Sequence, residues 1–218
     1  MDKIIILGNG GHAASIVDAL ERQNQYEIAG YIVGDGQGTG DDKYPVLGND
    51  DCLEKIFREG IHNAAVGIGF MGKSDLRERL WATLKQIGFT LPVICDPSAI
   101  LAKNACIGEG SFIGKRAVLN ANVSVGKMGI INTGAIIEHD CKVGDFSHVS
   151  VGSVLCGNVQ IGQSTFVGAN ATVIQGKVIG NRCIVAAGMT IRKNVEDDSV
   201  AFSRETRNIY YSRGGSKP

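Results

Sequence analysis

From Leu101 to Ile191 every sixth residue is Leu, Ile or Val, at 16 consecutive positions without an exception. A period of six fits neither the turn of an α-helix nor the alternation of an ordinary half-buried strand. It fits a hexapeptide β-helix, in which each hexapeptide forms one flat side with its aliphatic residue inward. Three sides close a coil of 18 residues, so residue n stacks beneath residue n+18 and the stretch amounts to five coils. Four positions after each aliphatic residue comes a mostly small one (Ala105, Ser111, Ala117 and onward to Cys141, Ser147 and Ser153) that suits the remaining interior space. Glycine often follows the aliphatic residue directly, as at Gly108, Gly144 and Gly162, and suits the turns.

Residues 1–95 have a different grammar and predict a small Rossmann-like α/β domain with a parallel sheet. "KIIILG" and "YEIAGYIV" are strands, with a helix between them that places Ile16, Val17 and Leu20 on one side. "DDCLEKIFREG" reads as a helix, "NAAVGIG" as a strand, "SDLRERLWATLKQIG" as a helix and "FTLPVI" as a closing strand. The expected organisation is therefore 1–95 for the α/β domain, 96–195 for the β-helix and 196–218 for a C-terminal tail. The segment "GNGGHA" follows the first strand and opens a helix. It matches a dinucleotide fingerprint only loosely. It reads better as a phosphate or sugar cradle at a helix N-terminus, with a purely structural tight turn as the alternative.

Lys+Arg and Asp+Glu both total 22, which argues against a basic nucleic-acid surface or a binder of anionic membranes. No apolar run approaches a membrane span, and the N-terminus reads as a strand rather than a secretory signal. The six cysteines show no zinc-like spacing; such scatter fits reduced thiols, with the cytoplasm as the expected compartment.

Two of the four histidines, His139 and His148, lie nine residues apart in "IIEHDCKVGDFSHV". On the 18-residue frame His139 is stacked between Ala121 and Gly157. Both neighbours are minimal, which leaves an open notch around the imidazole. His148 ends the next hexapeptide, at a corner on another side of the coil, so a shared metal site within one chain is not expected. A solvated corner histidine is the alternative reading of His139; the notch and the adjacent Asp140 favour chemistry.

The chain resembles the left-handed β-helix acyltransferases that modify nucleotide-linked amino sugars and sialic acids. The segments that carry the resemblance are "IIILGNGGHA" at the start, "PVLG" at 45–48, "DPSA" at 96–99 and "NTGAIIEHDCKVGDFSHVSVGSVLCGNVQIG" at 132–162. It implies an α/β domain that holds the nucleotide-sugar, a left-handed parallel β-helix that binds acetyl-CoA, and a homotrimer with active sites between adjacent β-helices. By the same resemblance His139 matches the general base and Asp140 its partner acid. His148 matches the second acyl-site histidine, Gly157 the glycine whose N–H faces the thioester carbonyl, and His12 of "GGH" a nucleotide-sugar contact, beside Gly10 and Gly11. Where many members carry consecutive acids after the second strand, this chain offers only Asp35. It also has Phe70 and Met71 after the third strand, and an unlike C-terminal ending.

The expected activity is acetyl-CoA-dependent N-acetylation of a nucleotide-linked 4-amino-4,6-dideoxy sugar, with no metal. An attacking amine must lose a proton, and histidine side chains, titrating near ~6.5, are suited to take it at neutral pH. The oxyanion that forms needs a donor, and a backbone N–H beside a glycine leaves room for a thioester. A covalent route through Cys141 or Cys156 is the competing mechanism; Cys141 falls at an inward position and is expected to be inert. O-acetylation of a sialic acid, or a non-catalytic β-helix scaffold or binding protein, are the alternative functions.

Overall fold

The computed structural model describes residues 1–34, 43–72 and 75–202. The N-terminal part comprises β1 (Asp2–Leu7), α1 (Gly11–Gln23), β2 (Tyr26–Ile32), β3 (Val46–Gly48), α2 (Leu53–Arg58), β4 (Asn63–Val66) and α3 (Leu76–Ile87). Its sheet is parallel with order β3-β2-β1-β4. Central β1 is a continuous apolar run because it is covered on both faces: Ile4 and Ile6 pack with α1, and Ile5 and Leu7 with α2 and α3. The helix expected over "DDCLEKIFREG" begins as a 3₁₀ turn at Asp50–Cys52, where the Asn49 side chain accepts the Asp51 N–H at 3.2 Å, and continues as α2.

The expected closing strand "FTLPVI" does not join this sheet. Only Thr90 bridges to Asn63, and Pro92, two residues on, has no N–H to continue a ladder. Ile94–Cys95 pairs instead with Phe112–Ile113 as the first strand of the β-helix. At the other end Val200–Ala201 pairs with Ile184–Val185. The β-helix thus runs from Ile94 to Ala201, taking in the last residues expected in the α/β domain and the first of the expected tail.

Three parallel sheets form the faces of the β-helix. The first face runs from Ile94–Cys95 to Val200–Ala201, the second from Ile100–Leu101 to Thr190–Ile191 and the third from Cys106–Ile107 to Val178–Ile179. Strands pair in register at 18-residue steps, as Ile137 does with Leu119 and Leu155, except in the last coil, where Ile184 meets Val200 after 16. Each strand has an outward residue followed by the inward aliphatic one, and the inward residues from Ile113 to Ile191 form one apolar core. The small residues four positions on also point inward, and their hydroxyls knit successive coils. Ser147 Oγ donates to Gly162 O at 2.6 Å and accepts the Thr165 N–H at 3.0 Å. That satisfies the buried polar groups.

At the corners from Gly110 to Gly188 the third residue after the inward aliphatic one is left-handed, as in Asn122 (φ +61), Asp140 (+62), Asn158 (+57) and Gly176 (+69). Asn, Asp and Gly enter this region at least cost. Met128 (φ +55) and Phe146 (φ +58) are not suited to it, at roughly 1–2 kcal/mol each. Both pack into the core formed with α2 and α3, and that burial offsets the strain.

The α/β domain therefore docks on the first face. Phe112 and Ile130 join the cluster around α1, and Arg22 pairs with buried Asp96 at 2.7 Å. Asp96 also accepts the Ser98 N–H at 2.8 Å, which folds the "DPSA" turn. No helix among the described residues is long and apolar enough to cross a membrane.

Candidate active site

The site begins where the chain leaves the second face after Ile136–Ile137. The Glu138 N–H donates to Leu155 O at 2.9 Å, and the Asp140 N–H to Ala121 O at 2.9 Å, which anchors the corner on both sides. Between these anchors the His139 side chain projects outward and is 54% exposed. Its Nδ1 lies 2.8 Å from Asp140 Oδ2. An ionised carboxylate can only accept, so Nδ1 carries the hydrogen, and in the neutral imidazole Nε2 is then the nitrogen with the lone pair. Asp140 Oδ1 accepts from Asn122 Nδ2 at 2.8 Å. The hydrogen bonds from His139 and Asn122 hold the Asp140 carboxyl below its ordinary range.

One coil along the stack is Gly157. A Cβ there would lie 2.6 Å from His139 Nε2 and 2.7 Å from Cε1. The imidazole therefore occupies the place a side chain would take, and only glycine leaves it free. The His139 carbonyl accepts the Asn158 N–H at 2.8 Å, whereas the Gly157 N–H has no acceptor among the described residues. The fold thus brings together the His139 imidazole, a carboxylate bonded to its Nδ1 and a backbone N–H without an acceptor among the described residues.

Cys141 is fully buried, its Sγ 3.1 Å from Cys156 O, and burial pushes its thiol up. A thiol kept protonated in the core is a poor nucleophile.

His148 lies elsewhere. It is not at a corner: the two-residue strands include the residue before each inward aliphatic, so His148 is the outward residue of a first-face strand, in register with Ile130 and Phe166. The α/β domain covers it. Its Nδ1 donates to Phe70 O at 2.6 Å and its Nε2 accepts from Asn132 Nδ2 at 3.1 Å; a carbonyl only accepts, so this imidazole is the neutral Nδ1–H form.

His12, in the first turn of α1, packs edge-on against Phe112 with ring centroids 5.1 Å apart. Arg77 of α3 is 3% exposed and donates to Met128 O at 2.5 Å and Phe146 O at 3.4 Å. Within one chain, then, His148 groups with His12 and Arg77 rather than with His139.

Desolvation, with the Arg77 charge adding to it, pushes His12 down to about 3. Desolvation also pushes His148 down to about 4; the bond to Phe70 opposes the shift and Arg77 reinforces it. Both folded-state values lie below the ordinary histidine value, so on acidification the unfolded chain takes up these protons first. Their contribution to stability is complete above roughly pH 6.5 and is lost as pH falls from there towards those folded values. Urea unfolding is expected to show a loss of about a few kcal/mol between pH ~7.5 and ~4.5. His148→Gln should flatten that dependence; an equal slope in wild type and variant would contradict it.

Gly10 is the N-cap of α1 and makes no side-chain cap, and a Cβ on Gly10 or Gly11 would meet nothing within 4 Å. Packing does not require these glycines, and the space before the helix N-terminus is open. Asp35 lies outside the described residues. Among the described residues no group of three or more His, Cys, Asp or Glu side chains could hold a metal ion. Sequence reasoning missed Asn122, Asn132 and Arg77. The first was legible as Asp140 minus 18; the other two depend on the docking of the α/β domain.

A model of the PglD N-terminal domain matches residues 3–84, and one of the hexapeptide repeat of succinyl-transferase matches residues 158–193. The chain is 32% identical to PerB from Caulobacter crescentus, solved in complex with CoA and GDP-perosamine, with a TM-score of 0.85 over 92% of this chain and 93% of that one. It is 28% identical to the acetyltransferase domain of PglB from Neisseria gonorrhoeae in complex with acetyl coenzyme A, with a TM-score of 0.82 over 91% and 94% of the two chains. WeeI from Acinetobacter baumannii, 24% identical, shares the fold with a TM-score of 0.81 over 92% and 96%. No curated protein matches the chain. Fold and site together define a left-handed β-helix acyltransferase. The chain belongs to the hexapeptide-repeat sugar N-acetyltransferase family.

Proposed function

We propose that this enzyme transfers the acetyl group of acetyl-CoA to the amino group of a nucleotide-linked 4-amino-4,6-dideoxy sugar, with His139 as general base. The observation that carries this reading is the His139 imidazole, held at Nδ1 by Asp140 and laid with its Nε2 edge over Gly157. His139 Nε2 takes the proton as the amine nitrogen attacks the thioester carbonyl, and Asp140 stabilises the imidazolium that results. The Gly157 N–H, which has no acceptor among the described residues, is assigned to the developing oxyanion. As the C–S bond breaks, the proton passes from His139 to the departing CoA thiolate. The open N-terminus of α1, with Gly10, Gly11 and His12, is assigned to the sugar nucleotide's phosphates; Asp35 is assigned to the nucleoside side. The complex of PerB with GDP-perosamine makes a GDP-linked amino sugar the first acceptor to try.

A panel of amino sugars linked to GDP, UDP and dTDP, incubated with acetyl-CoA, tests this. The expected result is CoA thiol release with one of them and a product whose mass and hydroxylamine resistance mark an amide. An ester would mean O-acetylation, and no release with any acceptor would favour a scaffold. All six cysteines are unpaired, which supports a reducing compartment, the cytoplasm, as the place of action.

The same reading includes a homotrimer. The α/β domain covers much of the first face, and the third face presents outward Lys142 and Gln160 to solvent. The second face presents Ile100, 65% exposed, Val118, Ile136, 37% exposed, and Val154 in one flat ladder. An apolar sheet of this kind needs cover, and it borders the corner that carries His139. Threefold packing on this face would put the active site between chains, and His148 is assigned to the acetyl-CoA site of a neighbouring copy. Sedimentation equilibrium is expected to give a trimer, and Ile136→Glu a monomer with little activity. A wild-type monomer at assay concentration with full turnover would contradict this.

A further inference from the structure

The Asp140 carboxylate is held from two directions. Oδ2 faces His139 Nδ1, while Oδ1 accepts from Asn122 Nδ2 at 2.8 Å. Asn122 lies one coil away in the same corner stack, and Asn104 one coil further. Asn122 Oδ1 accepts from Asn104 Nδ2 at 2.5 Å, and Asn104 Oδ1 accepts the Asn122 backbone N–H at 3.2 Å.

The polarity of this chain of amides can run only one way. A carboxylate has no proton to donate, so Asn122 must turn its nitrogen towards Asp140 and its oxygen towards Asn104, and Asn104 must answer with its own nitrogen. The backbone alone does not call for these amides. Gly110, Gly134 and Gly176 occupy the same corner position in other hexapeptides, left-handed and with no side chain.

We propose that Asn122, backed by Asn104, is a positioning residue for acetyl transfer, fixing the rotation of the Asp140 carboxylate so that His139 stays in its Nδ1–H form with Nε2 free over Gly157. The proposal rests on the reading of His139 as the base. The His139 and Asp140 side chains are 54% and 49% exposed, so without a second anchor water competes for the carboxylate and lets it turn. The imidazole then loses the partner that selects one tautomer, and a share of molecules presents a protonated Nε2 that cannot accept the amine's proton. Charge-assisted donation to a carboxylate is among the stronger hydrogen bonds, and networks of this kind act as a unit.

Asn122→Gly tests this with little risk to the fold, because glycine is at home at φ +61. Asn122→Asp keeps size and backbone preference but turns a donor into an acceptor. The readout is the ¹H–¹⁵N spectrum of the imidazoles of the intact protein, in which the His139 signal is identified by its loss in His139→Ala. Wild type is expected to show His139 in a single Nδ1–H form, and both Asn122 variants a mixture of tautomers. Outer hydrogen-bond partners of metal-binding histidines are worth roughly 10–100-fold; by analogy with the lower end we expect kcat to fall about tenfold in Asn122→Gly. KM for acetyl-CoA should stay within about twofold, as for a change felt only in the transition state.

Unchanged tautomer and kcat in both variants, alongside an inactive His139→Ala, would overturn the proposal and leave the base reading standing. Full turnover by His139→Ala would overturn the base reading and with it the catalytic part of the proposal, whatever the tautomer does.

Discussion

Replacing His139 by alanine is expected to lower kcat by roughly 10²–10⁴, the range that a positioned general base supplies. The KM values for both substrates should change little. Stability should not change either: the side chain projects from a corner, and the inward ladders of Ile137, Leu119 and Leu155 are untouched. Steady-state kinetics with thermal unfolding on the same preparation checks both halves. Near-wild-type kcat/KM at neutral pH would remove His139 from the mechanism. Loss of activity with a lowered Tm would mean that the residue serves the fold.

The second large effect is expected from a single methyl group. In Gly157→Ala the new Cβ would fall 2.6 Å from His139 Nε2, well inside van der Waals contact. The glycine does not have a positive φ, so alanine is not excluded by the backbone. The side chain that gives way is the exposed imidazole. The variant should fold and sediment as wild type does, yet lose kcat by about 10²-fold or more, because the proposed base is displaced and the thioester site is crowded. A crystal structure should show the ring rotated away from the Asp140 carboxylate. Wild-type turnover with an unmoved ring would show that the notch has no part in the chemistry.

Much of this was legible in the sequence because a β-helix is written at a fixed period. Ile137 sets the frame, and steps of 18 then identify Ala121 and Gly157 as the neighbours of His139 without any knowledge of tertiary structure. Asn122 was within reach of the same arithmetic from Asp140. His148 shows where the frame stops. Its register is given by the period, but its burial depends on Phe70 and on the α/β domain docking over the first face, a contact between residues 78 apart in the chain. Arg77 carries no periodic signal; its partners are the carbonyls of Met128 and Phe146, two corner residues in a strained conformation. The strand expected at "FTLPVI" failed for a local reason. Its apolar character is genuine, but Pro92 breaks the ladder and Ile94–Cys95 satisfies its backbone against Phe112–Ile113 instead.

The central claim is that acetyl transfer takes place in the notch between His139 and Gly157. The most direct measurement is a crystal structure of the enzyme with CoA and the accepted nucleotide-sugar. The CoA sulfur and the sugar's amino nitrogen are expected on either side of His139 Nε2, with the amino nitrogen within hydrogen-bonding distance of it, roughly 2.6–3.2 Å. The Gly157 N–H should point to where the thioester oxygen would be. A sulfur lying at any other corner of the β-helix, or an amino nitrogen out of reach of His139, would contradict it.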